Sequence, residues 1–120
     1  VATFDLVVAG SRDFMHYALL EKTLDKLLVN RVDEGVRIIS GTARGADELG
    51  QMYADNKGYD VILKPAKWNL HGRSAGYKRN VEMADIADAV ICFWDGRSRG
   101  TKHMIDISES KDIPLRVIRF

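Results

Sequence analysis

The chain has 120 residues, of which 46% are hydrophobic and 29% charged, a balance that excludes disorder and fibrous repeats and suits one hydrophobic core. With 18 Lys+Arg against 17 Asp+Glu the net charge is +1, so no global field holds a long polyanion or an anionic bilayer, and any anion must be bound locally. A single cysteine permits no internal disulfide, no run approaches the ~20 apolar residues of a membrane span, and the first residues lack a signal-peptide pattern, which together predict a cytoplasmic protein with no membrane partner.

The first apolar run, residues 4–9, is rich in β-branched residues with little polar alternation, as expected of a strand covered on both faces. Tyr17, Leu20, Leu24, Leu27 and Leu28 then recur at spacings of three and four and predict a helix over residues 15–30, closed before Gly35. A second strand is expected over residues 36–40. The helix after it starts near Arg44, turns Ala46, Leu49, Gly50 and Tyr53 inward, and ends near Gly58, where glycine closes a helix cheaply. A third strand follows over residues 60–64. Residues 65–73, with Trp68, His71 and Gly72, read as one long irregular loop, and loops of that length often serve a site. A third helix is predicted over residues 74–87 with Tyr77, Val81 and Ala84 aligned inward. The fourth strand, residues 89–94, carries Cys92 as a small buried hydrophobe. A fourth helix over residues 100–111 aligns Met104, Ile105 and Ser108, and Pro114 restarts the chain as an extended segment leading into a fifth strand at residues 115–118.

Strands and helices thus alternate strictly. Right-handed crossovers turn that order into a Rossmann-like, doubly wound parallel sheet of about five strands with helices on both faces, one domain over residues 1–120.

In such a sheet ligands settle at the carboxyl ends of the strands, where helix amino termini present free N–H groups. Three strand-to-helix junctions have the composition this needs. Gly10, Ser11 and Arg12 follow the first strand; Gly41, Thr42, Arg44, Gly45 and Asp47 follow the second; Asp95, Gly96, Arg97, Ser98, Arg99, Gly100 and Thr101 follow the fourth. Glycine after a strand and a short hydroxyl residue are what any turn and cap require. The arginines beside three such turns on one edge are not, and they point to an anion, with one or two of Arg12, Arg44, Arg97 and Arg99 expected to be solvated bystanders. Arg79 and Asn80, early in the third helix, either contact phosphate and base or ribose, or are exposed helix residues. Asp47 is either an ordinary first-turn carboxylate or a partner for ribose hydroxyls. Asp95, an acid at the mouth of an anion cleft, must pair with arginine, hold a metal or bind sugar hydroxyls to offset its repulsion. Trp68 suits either a stacking or a structural role, whereas Trp94 belongs to its strand. The three histidines have no metal-ligand spacing, and neither a nucleophile elbow nor a P-loop occurs, so no metal and no cofactor are expected.

Taken together, the segments at residues 10–13, 40–47, 75–80 and 95–101 resemble the YspA/YpsA-related branch of the SLOG superfamily, over residues 6–114. These are Rossmann-like domains related to the DNA-processing protein DprA and to the Lonely Guy phosphoribohydrolases, and phage and bacterial genomes carry small stand-alone members. The resemblance implies a nucleotide site in which the loop of residues 96–101 cradles phosphate beside Arg79 and Asn80, and it implies homo-oligomers. It leaves three functions in view: a module that senses or sequesters a nucleotide-like molecule, a hydrolase cleaving an N-glycosidic bond, and a binder of single-stranded DNA, which the net charge of +1 disfavours. For the hydrolase, the Lonely Guy pattern implies a glutamate three residues after the glycine-threonine pair; here Met104 stands there, and Asp106, about 200° further round the helix, is expected to point away. Asp95 and Asp47 remain as substitute acids, Asp95 being the one proposed for catalysis.

Overall fold

The apolar runs become five strands, β1 (Thr3–Gly10), β2 (Gly35–Ser40), β3 (Asp60–Leu63), β4 (Ala89–Trp94) and β5 (Leu115–Arg119), in a computed structural model that describes residues 2–31 and 33–120. All pair in parallel, in the order β3-β2-β1-β4-β5, so the sheet is the expected Rossmann-like one. Val7 lies opposite Ile39 on one side and Val90 on the other, which puts β1 at the centre. Parallel neighbours cannot be joined by a hairpin, so every connection carries a helix. These are α1 (Tyr17–Leu28), α2 (Ala46–Lys57), a four-residue α3 (Trp68–His71), α4 (Ala75–Ile86) and α5 (Arg99–Ser110).

The strand period of two divides the apolar residues between two cores. Leu6, Val8, Ile38, Ile91 and Phe93 face α1 and α2, whose Leu20, Leu24, Leu28, Ala46 and Tyr53 complete the first core. Val7, Ala9, Ile39, Val90 and Cys92 face α4 and α5, which contribute Met83, Ala84, Met104 and Ile105. Tyr17, Leu27 and Leu49, expected inward, are partly buried against the first core. Gly50 fits α2 onto the sheet, since a Cβ there would lie 2.9 Å from the side chain of Val8.

Helix ends differ modestly from expectation. The His16 Nδ1 accepts from the Leu19 N–H at 3.2 Å, so α1 starts at Tyr17, and Met15 stands outside it in solvent. Gly58 closes α2 as predicted, left-handed at φ 76. Two expectations are overturned. Residues 65–73 are not wholly irregular, for α3 is followed by a 3-10 turn at Gly72–Ser74. In α4 the buried residues are Ala75, Asn80, Met83 and Ala84, while Tyr77 and Val81 are 43% and 38% exposed. Spacings of three and four fit overlapping faces of one helix, and Asn80 joins the buried face because all its polar atoms find partners there. No helix is long and apolar enough to cross a membrane among the described residues.

Candidate functional site

Between β1 and β4 the order of connections reverses, and crevices at the carboxyl ends of strands open at such a point. A cleft of about 480 Å³ lies there. Gly10 and Ser11 reach it from β1, Asp47 from the first turn of α2, Arg79 and Asn80 from α4, Asp95 from the end of β4, and Ser98, Gly100 and Thr101 from the start of α5.

The loops are tied to one another before any ligand is considered. Ser11 is buried; its N–H donates to the Phe93 carbonyl at 2.9 Å, and its Oγ accepts from the Asp95 N–H at 3.1 Å, joining the β1 and β4 loops. The Asp95 Oδ1 accepts from the N–H groups of Arg97 and Ser98, both at 2.8 Å. Those bonds hold its carboxyl below the usual range, so Asp95 is an acceptor fixed within its own turn. Ser98 caps α5, its Oγ 3.0 Å from the Thr101 Oγ1, and the amino end of that helix opens on the cleft.

Asp47 is the buried charge of the site, 4% exposed. Its Oδ2 accepts from the Ala43 N–H at 3.1 Å, and burial pushes its pKa up to about 6 against the pull of that bond and of Arg79 and Arg12. Arg79 crosses from α4 to the β2 loop: Nη1 donates to the Gly41 carbonyl, and Nε donates to the Asn80 Oδ1 at 3.1 Å. The Asn80 Nδ2 donates to the Gly100 carbonyl at 3.1 Å and lies 3.2 Å from the His103 Nδ1. The Asn80 amide is thus engaged by protein groups and sets Arg79 and the first turn of α5. A Cβ at Gly41 would fall 2.6 Å from the Arg79 Nη1 and 2.8 Å from the Asp47 Oδ2, so a side chain there would push both groups from their present places.

Of the expected site residues, Gly10, Ser11, Arg12, Arg44, Asp47, Arg79, Asn80, Asp95, Ser98, Gly100 and Thr101 border this cleft, whereas Gly41 and Thr42 border a second cavity beside it. Thr42 holds a left-handed φ of 65, costly for a β-branched residue and steadied by its N–H donating to the Ser40 Oγ at 3.1 Å. Gly45 and Gly96 line neither cavity. Gly45 (φ 85) packs within 2.6 Å of the Arg12 carbonyl carbon, counting from where a Cβ would stand, and a side chain at Gly96 would run into the Arg119 guanidinium; both shape loops from behind. Arg97 and Arg99 are exposed and line neither cavity.

Sequence reasoning missed Arg73, Met83 and Tyr77 as walls of the cleft. Arg73 follows Gly72 in the loop already suspected of serving a site, but nothing in the pattern says which way it points. Met104 is buried and borders the cleft, while Asp106 turns outward to Lys102 at 2.6 Å, both as the helical geometry implies. Among the described residues no group of three or more His, Cys, Asp or Glu is arranged to hold a metal ion.

A sequence model of the YspA, cpYpsA-related SLOG family matches residues 4–71, from β1 through α3. The chain is also 36% identical over 116 residues to the Gene 61 protein of Mycobacterium phage D29, with 92% of each chain covered. No solved structure matches it.

Proposed function

The chain belongs to the YspA, cpYpsA-related SLOG family, and from that premise we propose that it is a sensor or sequestering module that binds a nucleotide or nucleotide-derived small molecule in the cleft between β1 and β4. One observation carries the reading: Arg12, Arg44 and Arg79 converge on the cleft, and none has a carboxylate within 4.0 Å among the described residues. Unpaired guanidiniums around a concave site favour a bidentate anion such as phosphate. The amino end of α5, with Ser98, Gly100 and Thr101, supplies a second anion-binding element, and Asp47 supplies an acceptor for sugar hydroxyls. Net charge near zero favours such a local site over a polyanion groove.

Thermal shift against mononucleotides, dinucleotides and cyclic nucleotides tests the proposal, because a ligand of the native state raises the melting temperature. Replacing Arg79 by Ala should weaken a phosphorylated ligand by about 1.5 to 3 kcal/mol, the range for a charge-assisted hydrogen bond. Absence of any shift across the library would overturn the reading.

A second reading, hydrolysis of the N-glycosidic bond, is favoured by Asp47, a buried carboxyl titrating near 6 in the same cleft. Asp95 is poorly suited to it, being held ionised by its own turn. Met104, at the position where the Lonely Guy pattern has its glutamate, can neither donate a proton nor stabilise a cationic sugar, so binding without cleavage is the expected result with AMP. Steady multiple-turnover release of free base, abolished by Asp47→Asn, would replace the binding reading with the hydrolase.

A further inference from the structure

β5 ends the sheet, and the strand period divides its side chains between the two faces: Leu115 and Val117 pack against the second core, Ile118 packs against the first, and Arg116 shares the face of Ile118. On that face a groove of about 530 Å³ opens between α1 and β5, sharing no residue with the anion cleft or the cavity beside it. Leu19, Leu27 and Ile118, each partly buried, give it an apolar lining, while Lys22 and Lys26 of α1 and Arg116 of β5 are exposed along its two sides. None of these three cations has a carboxylate within 4.0 Å among the described residues. The acids of α1 turn the other way: Glu21 and Asp25 stand 3.8 and 3.4 Å from the Lys57 Nζ on α2. Thus α1 keeps its negative charge on the α2 side and lines the groove with two unpaired lysines. Lysines also guard sheet edges against pairing, but that role places them on the strand and requires no apolar lining.

The shape of the groove and its charge identify what fits. An added strand would pair with β5 in the plane of the sheet, whereas the groove lies above that plane beside α1, in the layer that helices occupy. Lys22 and Lys26 are one turn apart, about 6 Å along the axis, which matches carboxylates at i and i+4 on a helix laid alongside. Arg116 faces them from the strand, so the complement carries acids on both flanks of an apolar stripe. We propose that a partner protein docks here through an acidic amphipathic helix, its apolar stripe on Leu19, Leu27 and Ile118 and its carboxylates on Lys22, Lys26 and Arg116. This docking surface is separate from the nucleotide cleft and stands or falls without it.

Fluorescence anisotropy of the full chain with three labelled synthetic peptides of about 18 residues, long enough to form a helix, tests the proposal. The first peptide sets leucines at i, i+3, i+4 and i+7 between glutamates; the second replaces every glutamate by lysine; the third keeps the composition of the first but spreads its leucines around the helix. The first should bind at least about tenfold tighter than the other two. Lys22→Glu combined with Lys26→Glu, both at exposed positions, should reverse the order of the first two peptides, and Arg116→Glu alone should weaken the first. Lys102→Glu combined with Lys111→Glu, an equal change of charge on the exposed face of α5 across the sheet, should leave the preference as it was. Equal affinity for the three peptides, binding by none of them, or an equal response to the α1 and α5 reversals would overturn the proposal. Sedimentation of the chain alone and anisotropy with a labelled single-stranded oligothymidylate complete the test: self-association or oligonucleotide binding that Lys22→Glu with Lys26→Glu abolishes would assign the groove to a second copy or to nucleic acid instead.

Discussion

Asp47→Asn should make the protein more stable at neutral pH, and its effect can be worked from the cleft. The carboxyl is 4% exposed and its pKa is pushed from 3.8 to about 6 by burial, more than the Ala43 N–H and the charges of Arg79 and Arg12 pull it back. A folded state that holds a proton more tightly than the unfolded chain is stabilised by the acid form. That stability is fully present below pH 3.8 and is lost as pH rises through about 6. At 1.36 kcal/mol per pKa unit, the gap between 3.8 and about 6 amounts to about 3 kcal/mol. Asparagine keeps an acceptor for the Ala43 N–H and does not titrate. Urea unfolding at intervals from pH 4 to pH 8 should therefore show the wild type losing ground to the variant, from near equality at pH 4 to about 3 kcal/mol at pH 8. His103, whose pKa burial lowers, contributes stability that is present above its unfolded value and lost as pH falls; it is common to both proteins and cancels in the difference. Parallel stability curves across that range would refute the burial argument.

Asn80→Ala removes the acceptor that sets Arg79 and the donor that satisfies the Gly100 carbonyl, and should cost about 1 to 3 kcal/mol in urea unfolding, with ligand affinity falling as well. Gly45→Ala forces a Cβ toward the Arg12 carbonyl from a φ of 85 and should cost more than about 2 kcal/mol, whereas Gly100→Ala, whose Cβ meets nothing, should change stability by less than about 1 kcal/mol; comparable midpoints would refute the packing argument. Cys92 is buried and its thiol is pushed up to about 12 by that burial, so a thiol reagent at pH 8 should label it only after denaturation, and rapid labelling of the native protein would contradict its place in the second core.

How much was legible in the sequence depends on whether a residue's role is local. The runs at residues 4–9 and 36–40 need only β-branched residues with little alternation to declare buried parallel strands, and the helices follow from the 3.6-residue period, whereas the edge strands β3 and β5 are only partly buried. The phase of α4 was not legible, because Tyr77 and Val81 are as apolar as Met83 and Ala84, and what decides between the faces is a polar residue. Asn80 is buried only because Arg79, Gly100 and His103 stand around it. Gly10, Ser11 and Arg12 could be assigned to the cleft because a strand end fixes them; Gly45 and Gly96 have the same look in sequence yet pack against Arg12 and Arg119 instead.

The least legible features are the bonds that join distant segments, and they are the ones on which the cleft depends. Arg79 reaches the Gly41 carbonyl across 38 residues, and Ser11 meets Asp95 across 84. In sequence Asp47 reads equally as a first-turn carboxylate, which is stabilising when exposed, and as a partner for ribose hydroxyls, and nothing local decides between them. It becomes a group titrating near 6 only when the sheet brings Arg79 and the β2 loop over it and removes its water. Among the described residues the same closure leaves Arg12 and Arg44 with no carboxylate in salt-bridge contact at the mouth, which on the proposed reading leaves them to pair with an anionic ligand. On the proposed nucleotide reading, ligand binding and the titration of Asp47 should therefore be coupled. An anion on the arginines weakens their pull on the Asp47 carboxylate, which should raise its pKa further, so that binding at pH 7 takes up protons. Calorimetric titration with a monophosphate in two buffers of different ionisation enthalpy measures that uptake directly. A binding enthalpy independent of the buffer would show that Asp47 does not sense the anion, and would separate the carboxylate from the arginine cluster.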